Sequence, residues 1–281
     1  QWYFFYWVGI LCVRMNITPQ LIIEPSATLV MNGLANQKRR RGERVYNLSA
    51  GEPILPTPAS IIEAATKAMR DGKTLYPPVA GIPELREAAA AWMNEWCAAS
   101  FTPTECVVTV GGKFGIFATV QALLCPGDEV AIIAPYWVSY PSIVKIFGGV
   151  PNIIPTKESE GWKVDPIILE QKMSSKTKII FLNNGANPTG VLYSREEIKK
   201  ILDIAAKHNV IVLSDEVYSG LAYDDVEYVS CASFPEYRDR VIIIQSCSKH
   251  FAMTGWRVGF LFGSKEIVDV VTDIQGQSTT G

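Results

Sequence analysis

Residues 178–218 read KIIFLNNGANPTGVLYSREEIKKILDIAAKHNVIVLSDEVY. KIIFLN (178–183) and VIVLS (210–214) are apolar runs without period-two alternation, which predicts strands buried on both faces. Between them, Ser194 and Glu197 have capping-box spacing and open a predicted helix over 194–207. A buried strand, a capped helix and a second buried strand form the repeating unit of a parallel sheet.

The same alternation extends outward. CVVTV (106–110), EVAIIA (129–134), VIIIQS (241–246) and VGFLF (258–262) are further buried strands, and helices are expected near 113–124, 138–147 and 165–173. Upstream, Ser60 and Glu63 predict a capped helix to about Arg70, stopped by Gly72, and Pro83 opens an Ala-rich helix to about Ala98. The expected fold is therefore α/β, a three-layer α/β/α arrangement around a mainly parallel sheet. Ligands of such sheets bind at the carboxyl ends of the strands.

Composition narrows the function classes. Lys plus Arg is 26 and Asp plus Glu 28, so no basic excess points to nucleic acid. Lys38-Arg39-Arg40-Arg41 reads as a solvated face. The six cysteines form no CxxC pair and there are two histidines, which argues against a zinc cluster and for reduced thiols of a cytoplasmic protein. Residues 1–14 (QWYFFYWVGILCVR) are too short an apolar run to span a bilayer and lack the basic flank of a signal peptide. They read as a segment extraneous to the folded domain; the rival reading, a membrane-surface anchor, has no basic residues behind it. QSTTG (277–281) is no expected helix end, and it suggests a chain that stops inside a larger design.

The strand ends carry the chemistry. Val110-Gly111-Gly112-Lys113 leads from a strand into a helix, where backbone amides and the helix dipole favour an anion. No GxGxxG or GxxxxGK[ST] motif is present, which disfavours a dinucleotide or P-loop site. Asn187-Pro188-Thr189-Gly190 is a turn. Asp215, just past a buried strand, is either a helix cap or a functional carboxylate. Lys249 follows the strand 241–246, a costly place for a cation unless it is paired, exposed or chemically used. Ser246, three residues before it, and Arg257, eight after it, could face one phosphate. A phosphate, a ring nitrogen that pairs with an acid and a carbonyl that condenses with lysine are together met by pyridoxal phosphate.

From about Pro25 to Thr280, the chain resembles the fold-type-I pyridoxal-phosphate aminotransferases of class I/II, and within them the bacterial aspartate aminotransferases of the aspartate/prephenate-related subgroup. The motifs that carry the likeness are SAGEP (49–53), YPPVAGIPELR (76–86), VTVGGK (108–113), PGDEV (126–130), PYWVSYP (135–141), NPTG (187–190), SDEVY (214–218) and SCSKHFAMTGWRVGF (246–260). The resemblance implies catalytic roles for Lys249, Asp215 and Tyr218. Lys249 would condense with the cofactor and move the substrate's proton, Asp215 would pair with the ring nitrogen, and Tyr218 and Asn187 would hydrogen-bond the ring's phenolic oxygen. Trp137 would stack on the ring, with plain core packing as its alternative. Gly111, Gly112, Lys113, Ser246 and Arg257 would hold the phosphate. Tyr76 would reach the cofactor of a second subunit in a homodimer, or be a surface turn residue. Gly51, Trp137, Asn187 and Lys113 would meet the substrate, Lys113 through a distal carboxylate or else as a solvated lysine. His250 reads as packing or as a phosphate neighbour.

The implied reaction is transamination between aspartate, or a related acidic or aromatic amino acid, and a 2-oxo acid. Other fold-type-I chemistry (β-elimination, cyclising lyase) and a cofactor-binding but silent protein are the alternatives. No nucleic-acid or membrane partner is implied. The implied organisation is an arm or part of a small domain over 15–48, a large cofactor-binding domain over 49–281, and a small domain left incomplete. The arginine that grips the substrate's α-carboxylate has no match here. The chain has Gly185-Ala186 where the family has Pro-Asn, which is expected to loosen the loop carrying Asn187.

Overall fold

The computed structural model describes residues 25–49 and 51–280; the expectations for 1–14 and 15–24 lie outside them. The unit read from residues 178–218 is present. Strand β4 (Thr177–Asn183) and strand β5 (Ile211–Asp215) pair in parallel, Ile179 against Ile211 through Asn183 against Asp215. Between them, the helix Arg195–His208 is capped by Ser194 and Glu197 in both directions and ends on Asn209 in the left-handed conformation. It buries Ile198, Ile201, Leu202 and Ala205 against one sheet face.

Five more strands complete the sheet: β1 (Cys106–Thr109), β2 (Glu129–Ile133), β3 (Val150–Ile154), β6 (Val241–Ser246) and β7 (Gly259–Phe262). The order is β1-β7-β6-β5-β4-β2-β3. Pairings from β3 across to β6 are parallel, whereas β7 runs antiparallel to both neighbours, so the sheet is mainly parallel with one reversed strand. Successive residues enter different cores. Ile180, Leu182, Val212 and Ile243 join one cluster; Ile179, Phe181, Leu213, Ile242 and Ile244 join the other. Two covered faces explain the unbroken apolar runs.

The helices are α1 (Ala27–Arg40), α2 (Ala59–Arg70), α3 (Pro83–Cys97), α4 (Gly111–Leu123), α5 (Ser139–Ile146), α6 (Pro166–Lys172), α7 (Arg195–His208), α8 (Cys247–His250) and α9 (Lys265–Gly276). Two expectations need correction, for Ser60 and for QSTTG, and two elements were missed. Helix α2 starts at Ala59 on Pro58, without a side-chain cap, so Ser60 lies inside its first turn. Strand β3 escaped the reading because it is a half-exposed edge containing Pro151. Helix α9 was not anticipated, although Ile267, Val268 and Val271 bury on one face. Residues 278–280 then turn back with their amides on the Gln275 carbonyl, so QSTT does follow a helix end.

Helix α1 occupies part of the expected arm and buries only Ala35. Cys97, Cys106, Cys231 and Cys247 are buried free thiols and Cys125 is an exposed one. Among the described residues, no helix is long and apolar enough to cross a membrane.

Candidate active site

The carboxyl ends of β4, β5 and β6 open onto one cleft of about 850 Å3. Gly51, Gly112, Lys113, Trp137, Asn187, Asp215, Tyr218, Ser246, Lys249 and Arg257 line it. Gly111 sits behind Arg257 rather than in the wall, and Tyr76 lies outside the cleft, almost fully exposed.

The end of the cleft around Gly112 and Arg257 is built by close approach. Gly111 has φ +74°, and a Cβ there would lie 2.3 Å from Arg257 Nη2. A Cβ at Gly259 would lie 2.6 Å from the Gly111 carbonyl carbon and the Gly112 nitrogen. These glycines bring the first amides of α4 beside the Arg257 guanidinium, which pairs a helix N-terminus with a cation. Arg257 is itself in the left-handed region, φ +59°, and its Nη1 donates to the Thr254 carbonyl at 2.9 Å. Ser246 caps α8: its hydroxyl accepts from the Ser248 amide at 3.1 Å and donates to the Val258 carbonyl at 3.2 Å.

Asp215 is buried at the end of β5. Its Oδ2 accepts from the Tyr140 hydroxyl at 2.6 Å and its Oδ1 from the Val217 amide at 3.4 Å. Burial pushes its carboxyl up to about 6 against those two hydrogen bonds. No cation among the described residues offsets that burial, so the pocket suits a positively charged partner for Asp215. Asn187 Nδ2 donates to the Tyr218 hydroxyl at 3.4 Å, so these two groups face one spot.

Lys249 Nζ donates to the Gly51 carbonyl and lies 5.8 Å from the Tyr218 ring centroid. Burial lowers its pKa, and the nearby Glu52 opposes that shift. Lys113 Nζ lies 4.7 Å from the Trp137 ring centroid, its pKa lowered by burial and by Arg257. Trp137 also packs edge-on against Tyr140, 5.4 Å between centroids.

The loop after β4 is not slack. The Gly185 and Ala186 amides both donate to the Val191 carbonyl, and the Asn187 amide donates to Asn183 Oδ1. Gly185 takes φ +78°, where its own lack of a side chain supplies the freedom that a rigid Pro would not. His250 packs edge-on between Trp92 and Trp96, 5.3 and 5.6 Å between centroids. It is a packing residue, away from the cradle of Gly112 and Arg257.

Tyr140, Asn183 and Glu52 were not singled out from sequence. Tyr140 lies inside the PYWVSYP motif, and its spacing of three from Trp137 on a helix start was the available signal. Asn183 Nδ2 donates to the Asp215 carbonyl at 2.8 Å, a cross-strand contact that only register reveals.

The sequence model described as "Aminotransferase class I and II" matches residues 43–280. A probable aspartate/prephenate aminotransferase of Thermus aquaticus is 42% identical over 92% of the chain and 67% of its own length. An aspartate aminotransferase of Geobacillus stearothermophilus is 39% identical over 92% of the chain and 66% of its own length. Among solved structures, the Thermus thermophilus aspartate aminotransferase with maleate aligns with a TM-score of 0.90 at 40% identity, covering 92% of this chain and 67% of that one. The chain thus spans about two thirds of the length of the relatives it matches.

Proposed function

The chain belongs to the class I and II aminotransferases, and from that premise we propose that it binds pyridoxal phosphate and carries the proton-handling half of an aspartate-type transaminase. In the complete reaction, the amino group of an amino acid is exchanged for the oxo group of a 2-oxo acid. The observation that carries this reading is Asp215, a buried carboxyl with no cation of its own, in the same cleft as a half-buried Lys249.

The residues fit the cofactor. The α4 amides with Ser246 and Arg257 would hold its phosphate, Asp215 its ring nitrogen, Asn187 and Tyr218 its phenolic oxygen, Trp137 a ring face, and Lys249 its carbonyl carbon. When bound, pyridoxal phosphate supplies an electron sink for the bonds at the substrate's Cα. Lys249 Nζ takes the Cα proton, and its burial favours the neutral amine that this task needs. Asp215 stays ionised once its partner is cationic, and Tyr140 keeps one of its oxygens aimed. Lys113 beside Trp137 supports an acidic substrate side chain, with Gly51 at the substrate's edge.

Residues 49–281 form the cofactor-binding part in this proposal, with 15–48 as an arm. A group for the α-carboxylate would come from the portion by which the relatives are longer. A second copy of the chain would contribute Tyr76, which is exposed at 89%. The free buried thiols agree with a cytoplasmic setting.

The test is an absorption spectrum of the purified chain with pyridoxal phosphate, before and after aspartate. A visible band that borohydride fixes to the chain, and that Lys249→Ala lacks, is the expected result. Aspartate should shift it. Fixation at full level in Lys249→Ala, or release of ammonia in place of a 2-oxo acid, overturns the reading.

A further inference from the structure

A second carboxyl sits directly behind the first. Glu216 follows Asp215 just past the end of β5; it meets Ser214 and Cys231 where Asp215 meets Tyr140, and it has no solvent exposure. Its Oε1 accepts from the Ser214 hydroxyl at 2.9 Å and from the Cys231 amide at 3.0 Å. Its Oε2 is buried without a well-aligned hydrogen bond, with the Ser230 hydroxyl as its polar neighbour. The titratable groups around it are the adjacent Asp215, Cys97 from α3, and Tyr228 and Cys231 from the segment after β5; none of them is a cation.

An ionised Glu216 would place an uncompensated charge in the interior beside another carboxylate. A proton on Oε2 removes the charge, has the Ser230 hydroxyl as its nearby acceptor, and leaves Oε1 free to accept both hydrogen bonds. Burial pushes this carboxyl up to about 7, in agreement. The Cys231 amide that it holds belongs to a segment with a second anchor: Asn184 Nδ2 donates to the Val229 carbonyl at 2.8 Å, and Asn184 Oδ1 accepts from the Tyr193 amide at 2.8 Å. Asn184 and Tyr193 bracket the loop that carries Asn187.

We propose that Glu216 is a positioning residue that works as a neutral carboxylic acid, anchoring the 228–231 segment behind the cleft and leaving Asp215 as the only charged member of the pair. Its bearing on catalysis rests on the reading of Asp215 as the partner of the cofactor's ring nitrogen; its protonation state does not.

The test has two arms. In the cofactor-free Asp215→Asn chain at pH 6, infrared spectroscopy should show the carbonyl stretch of a protonated buried carboxylic acid, and adding Glu216→Gln to that variant should abolish it. In the cofactor-loaded chain, the pH midpoint of the visible band should move by less than about 0.3 unit in Glu216→Gln, because one neutral group replaces another. Glu216→Ala should lower the melting temperature by several degrees, with Gln restoring most of it. Absence of the infrared band, or a midpoint lowered by about one unit or more as expected when a nearby negative charge is lost, overturns the proposal. If no variant binds cofactor, the functional reading fails while the infrared arm still decides the proton.

Discussion

The sheet and the N-terminal connecting segments treat apolar residues in opposite ways. Ile180, Leu182, Val212 and Leu213 are wholly inside, each in one of two cores. Along 44–57 and 71–79, Leu48, Ile54, Leu55 and Leu75 are left 73–99% exposed. Yet the segment that follows the arm reaches the cleft: Gly51 accepts from Lys249, and Thr57 donates to the Ala252 carbonyl and accepts from the Trp256 indole. The groups that must be held rigid stand on strand ends inside a covered sheet. The segment that closes over them has little core of its own, and its apolar side chains are available for another surface.

The largest contrast should come from the cleft. Lys249→Ala removes the only amine proposed to take the Cα proton, and single-turnover reaction with aspartate should slow by about 10^4-fold, the upper range for acid–base catalysis. Retention of a tenth of the rate would move that role to another residue. Next comes the core beneath it. Leu202 on α7 is fully buried, and Leu202→Ala should cost roughly 2–5 kcal/mol in urea unfolding. A cost below about 1 kcal/mol would mean that α7 does not seal that face.

The same burial makes the site itself unstable when it is charged. In the cofactor-free chain, the Asp215 carboxyl is raised from 3.8 to about 6. The folded state therefore binds a proton that the unfolded state has released, and stability falls as pH rises through that window. Asp215→Asn lacks this penalty. Its stability relative to the parent should grow by roughly 2 kcal/mol between pH 4 and pH 7, with saturating pyridoxal phosphate erasing the gain. A flat difference would show that Asp215 finds a cation without the cofactor. His250 works in the other direction: its pKa is lowered by burial among Trp92 and Trp96, so it resists protonation when folded. Stability that depends on it is present above its ordinary 6.5 and is lost as pH falls. His250→Phe should reduce that acid-side loss in thermal melts, and an unchanged acid limb would remove His250 as its source.

The contrast between the regions also explains what could be read from the chain. The β4–α7–β5 unit was legible because its signals are local: two apolar runs, and Ser194 three residues before Glu197. Lys249 was legible as a charge placed where a sheet end makes it costly, whereas Asp215 read equally as a helix cap and Arg257 only by its spacing from Lys249, so their roles came from the resemblance. Tyr140 was not legible, because its hydroxyl meets Asp215 across 75 residues, and no local pattern records that contact. Strand β3 was missed because an exposed edge with a proline lacks the apolar run that marks its neighbours. The supposed cap at Ser60 failed because spacing alone does not tell a residue before the helix from one inside it.

The smallest effect separates the two regions most directly. Ile54 is 99% exposed, so Ile54→Ser removes almost no buried area within one chain. Urea unfolding at low protein concentration should change by less than about 0.5 kcal/mol, as for surface substitutions elsewhere. At high concentration the result should diverge: if a second copy covers the segment around Ile54, the parent gains stability with concentration and Ile54→Ser gains less, because association stabilises only the folded form. Sedimentation of both chains over the same range would tie that gain to dimer formation. A loss above about 1.5 kcal/mol in the dilute monomer would mean that Ile54 already contributes to the monomer's own fold, and its segment would have to be counted with the sheet.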